Sequence, residues 1–318
     1  MKRLSVIVLA LGLLMAAAGC GANAAPSASD EPTGPATKVV KHALGKTEIP
    51  TDPKRIVLLN PYAVLDYLLA LDVRPVGSTG GGGLDDYPFG YWLRDRTDGI
   101  EMVGDTEEPN LERIAAAEPD LILSNPWQED IHNELGAIAP TVAVPLNYAD
   151  YEKEFRYVAD LLGRSEQAEE VIAAHRERLE MFEEGAGNAQ DAEVSVIRVF
   201  PGSIGIEVGS YVTTVLESAG IERPQAQESL KETTDVSIEQ TRLIDGDVIL
   251  LYSADNGPEA EKNDQARQEF LDHPLLQNLD AARNDEVHVV DSRLWAGGGI
   301  LWADAVLDDL EGILIEEP

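Results

Sequence analysis

Apolar residues fall along this chain in two patterns. Short unbroken runs flanked by Asp-Pro or Pro-Asp alternate with longer stretches in which apolar positions recur every three or four residues. Arg55 to Leu59 (RIVLL), after Asp52-Pro53, reads as a short buried strand, and Tyr62 to Leu71 has helical spacing. The chain then turns at Arg74-Pro75-Val76-Gly77. Asn110-Leu111-Glu112-Arg113-Ile114 opens a further helix with Asn110 as its N-cap, and Leu121-Ile122-Leu123 follows Pro119-Asp120 as a second buried strand. Helix and strand in alternation predict α/β layers around a mostly parallel sheet.

The same order returns further on. Glu193 to Phe200 (EVSVIRVF) reads as a strand, Tyr211 to Ala219 as a helix ending at Gly220, Ser237-Ile238-Glu239-Gln240 as the opening of the next helix, and Val248 to Leu251 as the next strand. Asn110 to Leu123 and Ser237 to Leu250 superpose at a constant offset of 127 residues, pairing Glu112 with Glu239 and Asp120 with Asp247. Two similar lobes follow. Between them, Phe155, Val158 and Leu162 share one face of a helix. After Gly163, Ser165 is placed to cap a second helix whose apolar face carries Ala168, Val171, Ile172, His175, Leu179 and Phe182. From Ser165 to Glu183 that helix spans roughly 28 Å, enough to cross a domain. The predicted organisation is a first α/β lobe at 38–148, connecting helices at 149–184 and a second α/β lobe at 185–318. A single long α-helix joins the lobes and limits their relative movement.

The start of the chain has a different grammar. Lys2 and Arg3 precede an apolar run from Leu4 to Leu14, then Ala16, Ala17, Ala18, Gly19 and Cys20. A charged start, a short apolar stretch and small residues describe an export signal over 1–19. The run is too short for a bilayer core, which needs about 20 residues. Leu14 to Cys20 (LMAAAGC) resembles the lipobox of bacterial lipoproteins, in which the cysteine carries the lipid, although Ala17 stands where Leu is commoner. Residues 20–37, rich in Ala, Ser, Pro and Gly, read as a flexible tether.

Composition narrows the function. The 318 residues include 58 acidic and 24 basic side chains, for a net charge of -34, with no run of Lys or Arg, so nucleic acid is not an expected partner. One cysteine excludes an intrachain disulfide and a multi-cysteine metal site. No His or Cys cluster has metal-ligand spacing, which disfavours direct capture of zinc or manganese. Gly80 to Gly83 lacks the Lys-Ser or Lys-Thr of a phosphate loop and reads as a flexible loop. No Gly-x-Ser-x-Gly elbow occurs, and no catalytic constellation is present. The chain is not expected to be an enzyme.

The body of the chain resembles the iron-siderophore solute-binding lipoproteins of ABC importers, the class with a helical backbone that also includes cobalamin binders. The resemblance runs from about Lys38 onward. It is carried by Arg55 to Leu59 with Leu68 to Val76 (LLALDVRPV), Val103-Gly104, Glu108-Pro109-Asn110-Leu111-Glu112, Pro119 to Leu123, Leu216 to Ile221, Phe270 to Leu276 (FLDHPLL) and Val287 to Trp295 (VHVVDSRLW). It implies two lobes with a shallow ligand cleft between them, lined by aromatic side chains and a few arginines. Aromatic faces suit the apolar linkers of a ferric siderophore, and arginine donates to its coordinating oxygens.

Carried over position by position, the resemblance nominates Trp92, Trp127, Arg198 and Trp295 as ligand contacts, with Tyr62 a weaker candidate. The three indoles are expected on one groove, Trp295 at its rim. The same residues have plainer roles open to them: a tryptophan packed in the core, an arginine paired with a carboxylate. Glu112 and Glu239 are the implied docking residues for arginines of a dimeric ABC permease. Each is also expected at N2 of its helix, where a carboxylate suits the dipole. The stretch Asp105-Thr106-Glu107 lacks the arginine that some ferric hydroxamate binders carry there. Arg198 is thus left as the main cation, with Arg94, Arg96 and Arg293 as additions, which favours a neutral or cationic hydroxamate complex. The expected protein is a lipid-anchored, extracytoplasmic monomer that holds an Fe(III)-siderophore as cargo, with no permanent cofactor. A haem or cobalamin binder of the same class is the alternative, with Tyr62, Tyr91 and Tyr211 as axial candidates for haem. An exported enzyme processing metal complexes is the more remote one.

Overall fold

The computed structural model describes residues 36–81, 89, 91–147, 149–187, 192–254 and 259–315, with backbone alone at 91 and 92. The export signal, Cys20 and nearly all of the tether lie outside these residues. The chain is already in a strand at Thr37: β1 (Thr37–His42) and β2 (Gly45–Pro50) form an antiparallel hairpin, pairing Thr37 with Pro50 and His42 with Gly45. This hairpin has no counterpart in the sequence reading. β1 alternates only between exposed and half-buried residues and β2 buries Ile49 alone, so no apolar stripe marks the hairpin.

The first lobe is a parallel sheet of β3 (Ile56–Leu58), β4 (Gly77–Gly80), β5 (Glu101–Asp105), β6 (Leu121–Ser124) and β7 (Thr141–Ala143), in the order β5-β4-β3-β6-β7. Helix α1 (Ala63–Ala70) follows β3, α2 (Leu111–Ala116) leads into β6, and α3 (His132–Ile138) leads into β7. Asn110 caps α2, its side chain accepting from the Arg113 N–H at 3.0 Å. Two helices, α4 (Tyr151–Leu161) and α5 (Ser165–Ala186), then carry the chain to the second lobe. Helix α5 has 22 residues, or roughly 33 Å. Ser165 is its first residue rather than its cap, and Gly187, at φ +53°, ends it.

The second lobe contains β8 (Val194–Phe200), β9 (Ser203–Ile206), β10 (Thr234–Val236), β11 (Val248–Tyr252) and β12 (Val287–Val289), ordered β10-β9-β8-β11-β12. Its helices are α6 (Tyr211–Ser218), α7 (Thr241–Ile244), α8 (Ala260–Leu271), α9 (Asp280–Arg283), α10 (Ser292–Trp295) and α11 (Ile300–Leu314). Numbered within its own lobe, each sheet has the strand order 3-2-1-4-5. The 127-residue offset reaches into the hydrogen bonds. The Asp120 carboxylate accepts from the N–H groups of Lys54 and Arg55 ahead of β3, and the Asp247 carboxylate accepts from the Glu193 N–H ahead of β8. In return, the backbone N–H of each aspartate donates 2.9 Å to the carbonyl of Arg55 or Glu193.

The lobes differ in two ways. In the second, β9 turns straight back antiparallel to β8, where the first lobe crosses over through α1 to a parallel strand. And Ser237 to Gln240 do not open a helix. The Gln240 side chain folds back to accept from the Ser237 N–H at 3.1 Å, which closes a turn holding Glu239, and α7 starts only at Thr241.

Strand alternation builds three apolar layers. Ile56, Leu58, Leu121 and Leu123 share one core with Val194, Val196, Val248 and Leu250 of the other lobe, together with Ile172 and Phe182 of α5 and Val306 and Leu310 of α11. The opposite faces, Val57 and Ile122 in one sheet and Ile249 and Leu251 in the other, fill separate outer cores. Although the chain crosses between lobes through α4 and α5, helix α11 forms a second bridge, packing on α5, α1, α6 and α4. His175, buried on α5, stands between the Tyr151 hydroxyl at 2.8 Å and the Asp304 carboxylate of α11 at 2.6 Å.

The N-terminus of α11 is capped from the other lobe. Gly299 occupies its N-cap at φ +133° and has no side chain to offer. Asp66 of α1, wholly buried, accepts the N–H groups of Ile300 (2.7 Å), Leu301 (3.1 Å) and Trp302 (2.8 Å) in its place. A Cβ on Gly299 would come within 2.2 Å of the Asp66 side chain, so glycine is the residue that lets the two meet. Burial pushes the Asp66 carboxyl up to about 7, against the downward pull of the three N–H donors. Replacing it leaves those donors unpaired in the core: Asp66→Ala should lower stability by about 2–4 kcal/mol in urea unfolding. Because the folded value lies above the unfolded one of about 3.9, the stability Asp66 contributes is full at low pH and declines as pH rises to about 7. The gap between wild type and variant should therefore narrow over that range, and a gap that widens with pH would contradict the assignment.

Candidate functional site

At the junction of the lobes lies a cavity of about 320 Å³. The first lobe contributes Tyr62, just beyond β3, and Asn147, beyond β7. The second contributes a polar wall from its sheet and an aromatic floor from the segment that leads into α11.

The floor is Trp295 and the backbone of Ala296 and Gly297. Trp295 is 1% exposed, and its indole N–H donates 2.6 Å to the Asp309 carboxylate of α11. Gly297 lies so close on the ring of Trp302 that a Cβ there would be 1.7 Å from it. Any larger residue would push the floor into the cavity. Tyr211 closes one side, its hydroxyl donating 2.6 Å to the Gly299 carbonyl. The cross-lobe cap and the cavity floor thus share one short stretch of backbone.

The wall comes from three adjacent strands. Arg198 on β8 is in register with Tyr252 on β11 and Gly205 on β9, and Glu207 follows β9. The Arg198 Nε lies 2.8 Å from Glu207 Oε1, and the guanidinium stands 5.1 Å from the centre of the Phe200 ring. The contact is close but poorly aligned: neither atom has a hydrogen bond of good geometry. The Glu207 side chain is 4% exposed and that of Arg198 36%. Burial, and then the neighbouring Glu207 charge, drive the Tyr252 hydroxyl well above the ordinary phenol range.

On the first-lobe side, Tyr62 is 36% exposed and its ring centre lies 6.4 Å from that of Trp302. Its hydroxyl abuts Gly81, where a Cβ would come within 2.8 Å. Burial, followed by the charges of Asp105 and Glu107, raises its hydroxyl above the usual value. Gly82 and Gly83 lie outside the described residues. A buried amide network fixes the strand ends beneath. Asn60 donates to the Asn125 side chain at 2.8 Å, Asn125 donates to the Leu59 carbonyl at 2.6 Å, and Gln128 joins the Asn125 N–H to the Thr106 carbonyl.

Of the five nominated contacts, the structure brings Tyr62, Arg198 and Trp295 together in one cavity. It does not gather the three indoles. Trp127 sits on the short turn after β6, 53% exposed and outside the cavity lining, in a turn held by the Asn125–Gln128 network. Trp92 is in a short 3-10 helix, Tyr91–Arg96, and its side chain, like that of Tyr91, lies outside the described residues. Trp295 is the floor and not the rim, since its hydrogen bond to Asp309 draws the indole inward. Arg293 pairs with Asp291, and neither it nor Arg94 or Arg96 lines the cavity. At two positions the plainer roles hold beside a place in the cavity: Trp295 is packed, Arg198 is paired, and both line it.

Sequence reasoning missed Glu207, Tyr252 and Asn147. Tyr252 ends a buried strand and was legible as a strand-end residue, whereas Glu207 reaches the cavity only through the β8–β9 hairpin. Glu112 and Glu239 are both exposed. Glu112 is the second residue of α2, but Glu239 lies in the turn before α7, where the Ser237 hydroxyl holds its carboxyl below the usual range. Among the described residues no group of three or more His, Cys, Asp or Glu side chains could hold a metal ion.

A family model described as periplasmic binding protein matches residues 91–294. The chain is 32% identical to the probable siderophore-binding lipoprotein YfiY of Bacillus subtilis over 98% of its own length and 97% of that protein's. It is 27% identical to the iron(3+)-hydroxamate-binding protein FhuD of the same organism, over 91% and 90%. In three dimensions it is similar to Staphylococcus aureus SirA complexed with staphyloferrin B. The TM-score is 0.75 at 26% identity, with 87% of this chain and 98% of that one covered.

Proposed function

The chain belongs to the periplasmic binding protein family, and we propose that it is the extracytoplasmic binding component of an ABC importer, capturing a ferric siderophore and delivering it to a permease. The observation that carries this reading is the cavity between the lobes, in which Tyr62, Tyr211, Tyr252 and Trp295 surround a single paired arginine. Aromatic faces cover the apolar linkers of a siderophore, while Tyr62, Asn147 and Arg198 offer donors to the oxygens around iron. The metal arrives already wrapped, so the protein needs no ligands of its own. With Arg198 balanced by Glu207, the cleft suits a hydroxamate complex better than a polyanionic one.

The wide contact between lobes supports a rigid binder. A core continuous across both sheets and the Asp66 cap on α11 favour small movements on binding. We further propose export directed by residues 1–19, a lipid on Cys20, residues 20–37 as the tether except for Thr37, which already opens β1, and a monomer that docks on a dimeric permease through Glu112 and Glu239. Each acid lies ahead of the fourth strand of its lobe, Glu112 in the first turn of α2 and Glu239 in the turn before α7. The lobes take up 38–148 and 185–318, with 149–184 as the connection.

Titrating the tryptophan fluorescence of the protein with ferrioxamine should give a saturable change, and Tyr62→Ala should weaken binding about tenfold. A response to none of ferrioxamine, ferric catecholate, ferric citrate, haem and cobalamin would overturn the reading. Saturation by haem or cobalamin alone would change the cargo within the same class. Reversing both docking charges, Glu112→Lys with Glu239→Lys, should reduce siderophore uptake severalfold at unchanged affinity, and unchanged uptake would remove the docking assignment. Cys20→Ser should move the protein from the membrane to the soluble fraction on cell fractionation; retention at the membrane would rule out the lipid anchor.

A further inference from the structure

Arg198 is the one cation among the described residues that line the cavity, and it does not act alone. Glu207, almost fully buried behind it, approaches its Nε to 2.8 Å. Glu207 also lies near the Thr233 hydroxyl at 3.4 Å and beside the buried Tyr252 hydroxyl, so it has little freedom to move away. On the first-lobe side the charges of Asp105 and Glu107 act on Tyr62, and the Asp235 carboxylate of β10 lies beside Gly205, the register partner of Arg198, so both add to the negative field. Arg198 therefore offers N–H donors to a ligand while its positive charge is cancelled from behind.

We propose that Glu207 is a specificity-determining residue of this cleft: by pairing with Arg198 it removes the net positive charge that a polyanionic ferric complex would require and selects neutral or cationic complexes. This rests on the reading of the cavity as a siderophore site. Glu207 lines the cavity behind Arg198, and its effect on binding is through the charge it sets against the guanidinium, that is, on which charge of complex binds. A unit of charge at about 6 Å changes the affinity of each ligand charge by roughly tenfold, after allowing for screening at a site open to water.

The test compares the affinities of two iron complexes, monocationic ferrioxamine B and a triply anionic ferric tris-catecholate, for the wild-type protein, Glu207→Gln, Arg198→Gln and the double variant. Wild type should favour ferrioxamine. Glu207→Gln should shift the ratio toward the catecholate at least tenfold and make its binding more salt-sensitive, because an unbalanced guanidinium is then exposed to the ligand. Arg198→Gln should shift the ratio the opposite way, and the double variant should return to within about threefold of wild type. A merely structural role would lower both affinities together and leave the ratio in place. An unchanged ratio in Glu207→Gln, with ferrioxamine still bound, overturns the proposal. Should that variant fail to fold, the proposal stands or falls on Arg198→Gln, whose failure to shift the ratio toward ferrioxamine overturns it equally. A wild-type protein that binds no ferric complex would overturn the functional reading itself, and this proposal with it.

Discussion

The arrangement of the two lobes depends on one buried carboxylate. Asp66 leaves the first lobe to take the cap position that Gly299 vacates, and three N–H groups of α11 close on it. Once that helix is set, Trp302 lies under Gly297, Trp295 is drawn in by Asp309, and the Tyr211 hydroxyl finds the Gly299 carbonyl. The floor of the cavity is thus a by-product of the joint between the lobes. A carboxylate in so dry a setting is costly, and its raised value records that cost; the three donors make it tolerable.

Much of this fold was legible in the sequence, because both lobes obey the same local rules. Apolar runs after Asp-Pro and before an N-capped helix gave the central strands, and the matched pair Asp120 and Asp247 marked a repeat that proves to be a repeated hydrogen-bond pattern. Periodicity failed where sequence position and fold diverge. The β1–β2 hairpin buries no continuous face and so leaves no stripe. Glu239 looked helical because its neighbours match those of Glu112, but Gln240 uses its side chain to close a turn. Asp66 sat unremarked within a helical pattern, since nothing local discloses a partner 234 residues away.

The cavity was legible by residue type and not by geometry. Tyr62, Arg198 and Trp295 were nominated by the family resemblance, and the structure brings them into one cavity. Trp127 was nominated with them, yet its turn is held by an amide network that no spacing rule reveals. Glu207 was invisible for a topological reason. In the first lobe, β3 and β4 are joined through a helix, and in the second, β8 turns directly into β9. That tight return brings residue 207 back beside residue 198. The duplicated lobes are therefore equal in plan and unequal in chemistry, one presenting an amide-backed tyrosine and the other an ion pair.

The separation between Asp66 and α11 also sets an order of events during synthesis. At roughly 5–20 residues per second, a ribosome needs on the order of ten to fifty seconds to make the 234 residues between them. Throughout that interval α1 carries a carboxylate destined for a helix that does not yet exist. An acidic chain, repelling its neighbours, is well suited to that wait.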